Sequence, residues 1–417
     1  MTVNVSAPSI RIDGCRACGG ARLKPFLDLG SLPLSDGFLP ADQLAAPERR
    51  FPLEVALCLD CALVQNLDTV DSRFRFGADY RYLSSVTDSL VSLAEANVLE
   101  RIRDRRLGPD SFVVELASND GYLLRHYADR GIPVLGIDPA PLPVAAALAN
   151  GIPTRQAFFG RDVAEDLVAE GVRADVIHAN NVLAHVADTV GFVAGIERLL
   201  SPEGIAVIEV PYVRDLVDTC AFDTIYHEHL CYFSVTSLDK LFRGQRLFLN
   251  RVEPLDVHGG SLRLHVGKRA GIAPSTTAYL AAEAEAGVDQ PAYYADFRAR
   301  VDRVCDDLSS LLGSLKAGGA TIAGYGAAAK GTMLLNTAGI GPETLEWVAD
   351  RNLEKQGCWI PGVRVPITAP ERIMETRPDF VLILPWNHKE EILSQLTEYR
   401  ERGGRCILPI PEPVIVG

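Results

Sequence analysis

The sequence predicts an α/β chain of three domains: a small four-cysteine domain followed by two Rossmann-like units, each built on a parallel sheet. Three observations carry this. Two C-x2-C pairs, "CRAC" and "CLDC", lie near the N-terminus. Between residues 112 and 210, apolar runs of strand length alternate with helical stretches. After residue 319 the same alternation begins again. A length of 417 residues leaves room for more than one core, and 47% hydrophobic with 23% charged residues is ordinary globular composition.

The first domain, residues 1–70, holds Cys15, Cys18, Cys58 and Cys61. Each pair closes one tight turn, so four thiolates reach one tetrahedral ion, which predicts a structural Zn2+ with no open position. That reading needs reduced thiols. The stretch "MTVNVSAPSIRIDGC" lacks the basic and apolar regions of a signal peptide, and no apolar run approaches a membrane span. A cytoplasmic protein without a membrane partner is therefore expected, where thiols stay reduced. Cys220, Cys231, Cys305, Cys358 and Cys406 lack such spacing and read as core or surface residues. The net charge of −13 argues against a nucleic-acid partner, which would call for clustered Lys and Arg. Oligomeric state is not legible.

The second domain, residues 71–285, reads strand, turn, helix, strand from 112 onward. An apolar run at 112–116 ends at the polar turn 117–121; a helix follows, then a strand at 134–137 that ends in Asp138. "ADVIHANNVLAHV" and "GIAVIEVPYV" supply strands at 176–179 and 205–210, completing a doubly wound pattern. "GKRAGIAPSTTAYLAAEAEAGVDQPA" reads as the junction. The third domain, residues 286–417, opens with a charged helix in "YYADFRARVDRVCDDLSSLLGSLKAGG" and continues through "ATIAGYGAAAKGTMLLNTAG", "TLEWVADRN", "DFVLILPWN" and "RCILPIPE".

"ELASNDGYLL" resembles the first motif of class I S-adenosylmethionine (SAM)-dependent methyltransferases. In such a turn, backbone amides around Ala117 and Asn119 approach the methionine part of the cofactor, and Gly121 removes a side chain from the approach. Glu115 precedes it. Asp138, followed by Pro139, stands at the end of the next strand, where a carboxylate accepts bonds from ribose hydroxyls. Ala117 sits where methyltransferases usually carry Gly. Phe158 and Phe159 follow the third strand position, where an adenine ring would stack. Asn180, Asn181 and His185 follow the fourth strand, at the end where open α/β sheets bind ligands; ordinary capping explains the Asn pair equally well. An NAD-binding turn would show G-x-G-x-x-G instead.

The densest group of reactive side chains is "FDTIYHEHLCYFS" (222–234), which spends two of the chain's 8 His on positions 227 and 229. Three roles are open: a metal site, a general base, or a polar loop. A zinc helix needs H-E-x-x-H, with both His on one face, whereas these lie two apart with no third ligand near in sequence. A general base suits the residue types better. Imidazole titrates near neutrality, Glu228 can orient a ring, and Tyr226 can donate to an oxygen that becomes negative.

Taken in order, "CRAC…CLDC", "DYRYLSS", "ELASNDG", "EVPYV…FDTIYHEHLCYFS", "VHGGSLRL" and "GYGAAAKG" resemble the nucleotide-sugar C-methyltransferases of deoxysugar biosynthesis over nearly the whole chain. The resemblance implies SAM-dependent methylation at C3 of a dTDP-linked 4-keto-deoxysugar, giving branched sugars of the mycarose type found in antibiotics. It implies a base at the position of His229, with Glu228, Tyr226 and His227 in the surrounding motif. Tyr80 and His185 are implied to face the same site, and Tyr82 and Ser84 to touch the sugar. Leu83 stands where a further tyrosine is expected, so the sugar substituents recognised here are expected to differ.

In the third domain, "GYGAAAKG" follows a strand at 320–323; its glycines and Lys330 are expected to cradle a diphosphate at the helix N-terminus, and Tyr325 to bind substrate. Asn336, Asp350 and Asn387 lie near element ends and are expected to bind ribose, base or phosphate. The same segment resembles a dinucleotide fingerprint with its third Gly changed to Ala. The rival expectation is thus NADPH-dependent 4-ketoreduction, alone or as a second activity. A non-catalytic zinc-bearing adaptor is a third reading.

Overall fold

In a computed structural model of the chain, residues 9–71, 83–86, 88–255 and 259–417 are described. Tyr80 and Tyr82 lie outside the described residues.

The zinc-bearing segment forms an antiparallel sheet of Leu23–Leu32, Phe51–Cys58 and Val64–Asn66. Its fourth strand is remote in sequence: Cys231–Tyr232 pairs with Val64–Asn66, Cys231 lying opposite Gln65. The histidine cluster therefore runs directly into an edge of this sheet. Ser9–Arg11 pairs separately with Asp68–Val70.

The central sheet has seven strands, ordered Phe248–Leu255, Ser261–Gly267, Leu200–Pro211, Ala174–Asn180, Val113–Leu116, Val134–Asp138, Thr154–Gln156. Ser261–Gly267 runs antiparallel to both of its neighbours. Strand order reverses between Val113–Leu116 and Ala174–Asn180. In an open α/β sheet, ligands bind in the crevice beyond the carboxyl ends at such a point. The run "VVEL" is buried along its whole length, as a strand covered on both faces must be.

The third sheet has six strands, ordered Ile367–Thr368, Val348–Ala349, Ile322–Tyr325, Phe380–Ile383, Arg405–Leu408, Val414–Val416, with only the last antiparallel. Its order reverses between Ile322–Tyr325 and Phe380–Ile383, so the turn at Gly326 and the segment at Trp386 share a second crevice. The charged stretch is the helix Phe297–Ala317, which buries Val301, Val304, Cys305, Leu308 and Leu312 along one stripe.

The segment expected as a junction contains the helix Pro274–Ala286. Its Glu283 is 1% exposed and accepts hydrogen bonds from Tyr212 Oη (2.8 Å), Val235 N (2.7 Å), Thr236 N (2.8 Å) and Thr236 Oγ1 (2.6 Å). The carboxylate thereby caps the helix Val235–Gly244. Glu283→Ala leaves these donors unsatisfied and is expected to cost about 3 kcal/mol in chemical denaturation. Among the described residues no helix is long and apolar enough to cross a membrane.

Candidate active site

The four Sγ atoms of Cys15, Cys18, Cys58 and Cys61 lie within 4.8 Å of one another, with Cys15–Cys61 at 3.5 Å and Cys18–Cys58 at 3.6 Å. A tetrahedron with Zn–S of about 2.3 Å has edges of about 3.8 Å, so the donors and their spacing fit zinc. Amide groups support the thiolates: Gln65 Nε2 donates to Cys15 Sγ at 3.1 Å and Gly20 N to Cys18 Sγ at 3.4 Å. No other such ligand group converges among the described residues.

The first crevice gathers the expected cofactor residues. Ala117 (φ +56°) and Asn119 (φ +49°) occupy the left-handed region, where an L side chain costs about 1–2 kcal/mol. The turn thus demands the geometry glycine supplies elsewhere. Asp138 accepts from Asn119 N (2.9 Å) and Ala140 N (2.8 Å), tying the strand end to the turn. Burial pushes Asp138 up, while those amides pull it back. Glu115 is 1% exposed. Burial, and then the charges of Asp120, Asp138 and Glu209, push it well above the usual carboxylate range. Its Oε2, together with Oδ1 of Asp120, has no partner among the described residues. These two oxygens, left without a partner among the described residues, fit a polar cofactor such as SAM that brings its own hydrogen-bonding groups. Asn180 ends its strand with Oδ1 unpartnered among the described residues, and Asn181 N donates to Glu209 O at 2.8 Å. Pro139 O accepts from Gln156 Nε2 at 3.2 Å. Phe158 is 58% exposed, whereas Phe159 turns inward onto Phe192. Of the pair, Phe158 is the more exposed.

Gly121 (φ +79°) faces Ile152, and a Cβ there would sit 2.9 Å from Ile152 Cγ1. Gly121→Ala is expected to cost about 1–3 kcal/mol and to weaken SAM binding, readable by calorimetry and thermal melting. Ser84, expected at the sugar, lies beside the cofactor turn: its backbone N donates to Asn119 Oδ1 at 2.8 Å.

The two histidines diverge. Nε2 of His227 donates to Phe51 O at 3.1 Å and its ring packs on Phe51, so His227 anchors the loop to the zinc-bearing sheet. His229 points the other way. Its Nδ1 donates to Thr224 O at 2.9 Å, which leaves Nε2 as the basic nitrogen, and Tyr226 Oη lies 2.9 Å from it. Burial, followed by the charges of Asp36 and Glu228, pushes the Tyr226 phenol well above its ordinary value, so it stays a donor. The His185 ring meets His229 edge-on with centroids 4.7 Å apart, and Leu230 N donates to Ala184 O at 2.7 Å, holding the two segments together. Glu228 is 6% exposed.

The second crevice opens beside this loop. Lys330 Nζ lies 4.0 Å from Asp223 Oδ1 and 4.8 Å from the centre of the Trp386 ring, while Trp386 Nε1 donates to Asp223 Oδ2 at 2.7 Å. Burial pushes the Asp223 carboxyl up and the Lys330 ammonium down, and each is pulled back by the other's charge. Asp223 and Trp386 were absent from the sequence expectations. Their signals are a lone acid opening the histidine motif and an aromatic residue just past a strand's carboxyl end. Asn387 adjoins Trp386 and has Oδ1 unpartnered among the described residues. Asp350 accepts from Ala327 N and Asn352 N, both at 2.7 Å, and so shapes the turn. Two expected ligands do not reach the crevice. The strand starts two residues later than expected, at Ile322, which turns Tyr325 into the core with its hydroxyl on Gln395 Oε1 (2.5 Å). Asn336 spends its Nδ2 on the carbonyls of Thr332 and Pro361, both at 2.9 Å.

Family models match in the same order as these parts: a zinc binding domain over residues 15–76, a methyltransferase domain over 93–245, and a C-methyltransferase C-terminal domain over 256–411. The fold, the cofactor turn and these matches define a SAM-dependent methyltransferase. C-methyltransferase NovU of Streptomyces niveus is 35% identical over 408 residues, 97% of each chain. The chain belongs to that C-methyltransferase family. A ubiquinone biosynthesis O-methyltransferase of Rhodopseudomonas palustris is 28% identical over 96 residues, 23% of this chain and 38% of its own. Among solved structures, the magnesium protoporphyrin IX methyltransferase ChlM of Synechocystis with bound SAM aligns with a TM-score of 0.34 and 13% identity, covering 48% of this chain and 90% of that one. A TehB-like methyltransferase of Corynebacterium glutamicum aligns with a TM-score of 0.32 and 19% identity, covering 42% and 88%.

Proposed function

We propose that this C-methyltransferase acts in the cytoplasm on C3 of a dTDP-linked 4-keto-deoxysugar, with His229 as the base. The observation that carries the reading is the locked imidazole: Nδ1 is committed to Thr224 O, so Nε2 is the nitrogen that takes the proton. Carbon becomes a nucleophile cheaply only beside a carbonyl, and the C4 ketone spreads the resulting charge onto oxygen. Tyr226, kept protonated, swings from Nε2 to donate to that oxygen as it becomes negative. His185 lines the same side, and Tyr80 and Tyr82 belong to this reading through the motif resemblance alone. When bound, SAM supplies an electrophilic methyl that the enolate carbon takes; Glu115, Asn119, Asp138 and Asn180 are the residues to hold it. Lys330, with Trp386 and Asn387, holds the diphosphate and nucleoside so that the sugar projects toward His229.

The test is product analysis by mass spectrometry and NMR after incubation of a panel of dTDP-4-ketosugars with SAM. A methyl at C3 supports the assignment. A methyl at C5, the other carbon beside the ketone, keeps the enolising chemistry and overturns C3. The ketoreductase alternative draws no support from the family matches; NADPH absorbance is expected to stay constant with ketosugar present.

A further inference from the structure

We infer that the zinc-bearing segment supplies two positioning residues to the chemistry, Asn66 and Ser35, so that this segment shapes the site from behind. Asn66 ends the strand Val64–Asn66 and is 1% exposed. Its Nδ2 has two hydrogens and uses both on the histidine loop: Tyr226 O at 3.0 Å and His229 O at 2.9 Å. These carbonyls belong to the proposed donor and the proposed base. The backbone N of Asn66 donates to Leu230 O at 2.9 Å, and its carbonyl accepts from the Arg16 guanidinium. Arg16 follows the ligand Cys15, and its own N donates to Gln65 Oε1 at 3.0 Å, the same side chain that donates to the Cys15 sulfur. A continuous set of bonds thus runs from the cysteine cluster to the backbone under His229.

Ser35 acts on the other carboxylate-bearing side of the loop. It is fully buried, and its Oγ donates to Glu228 Oε2 at 3.0 Å. Its carbonyl accepts from Thr332 Oγ1 at 2.9 Å, in the helix Ala329–Ala338 that also carries Lys330. One serine therefore touches the loop of the base and the helix of the second crevice. Neither residue faces a reacting atom; each acts through a neighbour, Asn66 through the loop backbone and Ser35 through Glu228.

The inference rests on the His229 reading, so His229→Asn belongs in the same experiment. With the full-length, zinc-loaded protein, SAM and an accepted dTDP-4-ketosugar, kcat and KM are measured together with the rate at which solvent deuterium enters the sugar beside the ketone. Ser35→Ala and the near-isosteric Asn66→Asp, which turns a carboxylate toward two carbonyls, are expected to lower both kcat and deuterium entry by about 10-fold or more, on the scale of outer-sphere losses. Zinc content and SAM affinity are expected to stay unchanged, and Ser35→Thr is expected to recover much of the rate. In a Glu228→Gln background, Ser35→Ala is expected to cost little more, because Ser35 acts through that carboxylate. Should Asn66→Asp fail to fold, the Ser35 series still decides. Wild-type kcat and deuterium entry in Ser35→Ala and Asn66→Asp, with His229→Asn inactive, overturns the inference alone. So does a rate loss that merely tracks lost zinc or lost SAM binding. Near-normal turnover in His229→Asn overturns the base assignment and this inference with it.

Discussion

Replacing His229 by Asn is expected to reduce methyl transfer by about 10²-fold or more, the scale on which a general base contributes. The amide retains a donor for Thr224 O, so the loop keeps its shape while Nε2 disappears. Binding of SAM should be unchanged, since the cofactor turn at 117–121 belongs to a different segment. Formation of S-adenosylhomocysteine measures the first quantity and titration calorimetry the second. Deuterium entry beside the ketone should fall in step with turnover, because both need the same proton removed. Turnover within a factor of two of wild type would refute the base. Glu228→Gln, which keeps the shape and loses the charge, should be milder.

The second large effect concerns zinc. Cys58 is fully buried at the end of the strand Phe51–Cys58, and Cys61 is 4% exposed. Four thiols brought this close have little reason to stay together without an ion, since binding a structural zinc contributes folding free energy directly. Chelation, or Cys58→Ser, is expected to remove one zinc per chain by elemental analysis and to cost roughly 10–100-fold in activity at least. The reason is connectivity: Cys231–Tyr232 pairs with the same sheet, and His227 is bonded to Phe51 O. Loosening the sheet frees the loop that carries His229. Full activity in zinc-free protein would contradict this coupling.

The cysteine spacing was enough to read the zinc site, because four ligands in two knuckles leave few geometries. The turn 117–121 and the strand-end positions of Asp138 and Asn180 were legible for a similar reason: local chain chemistry places them. Harder to see was which way a side chain points. A two-residue shift in one strand carried Tyr325 from turn to core, and two neighbours of Glu228 separated into an anchor, His227, and a candidate base, His229. Contacts between distant segments left no local signal at all. Asp223 beneath Lys330, Ser35 on Glu228 and Asn66 on the histidine loop depend on how three sheets meet, and no periodicity encodes that.

The remote fourth strand has a consequence for synthesis on the ribosome. The Val64–Asn66 edge emerges long before Cys231–Tyr232, so the nascent chain carries an open β-edge while five of the seven strands of the central sheet are still being made. Until residue 231 arrives, that edge is a template for pairing with other chains. A fragment cut after the first domain would keep that edge exposed and is expected to aggregate, whereas the 417-residue chain covers it with Cys231–Tyr232.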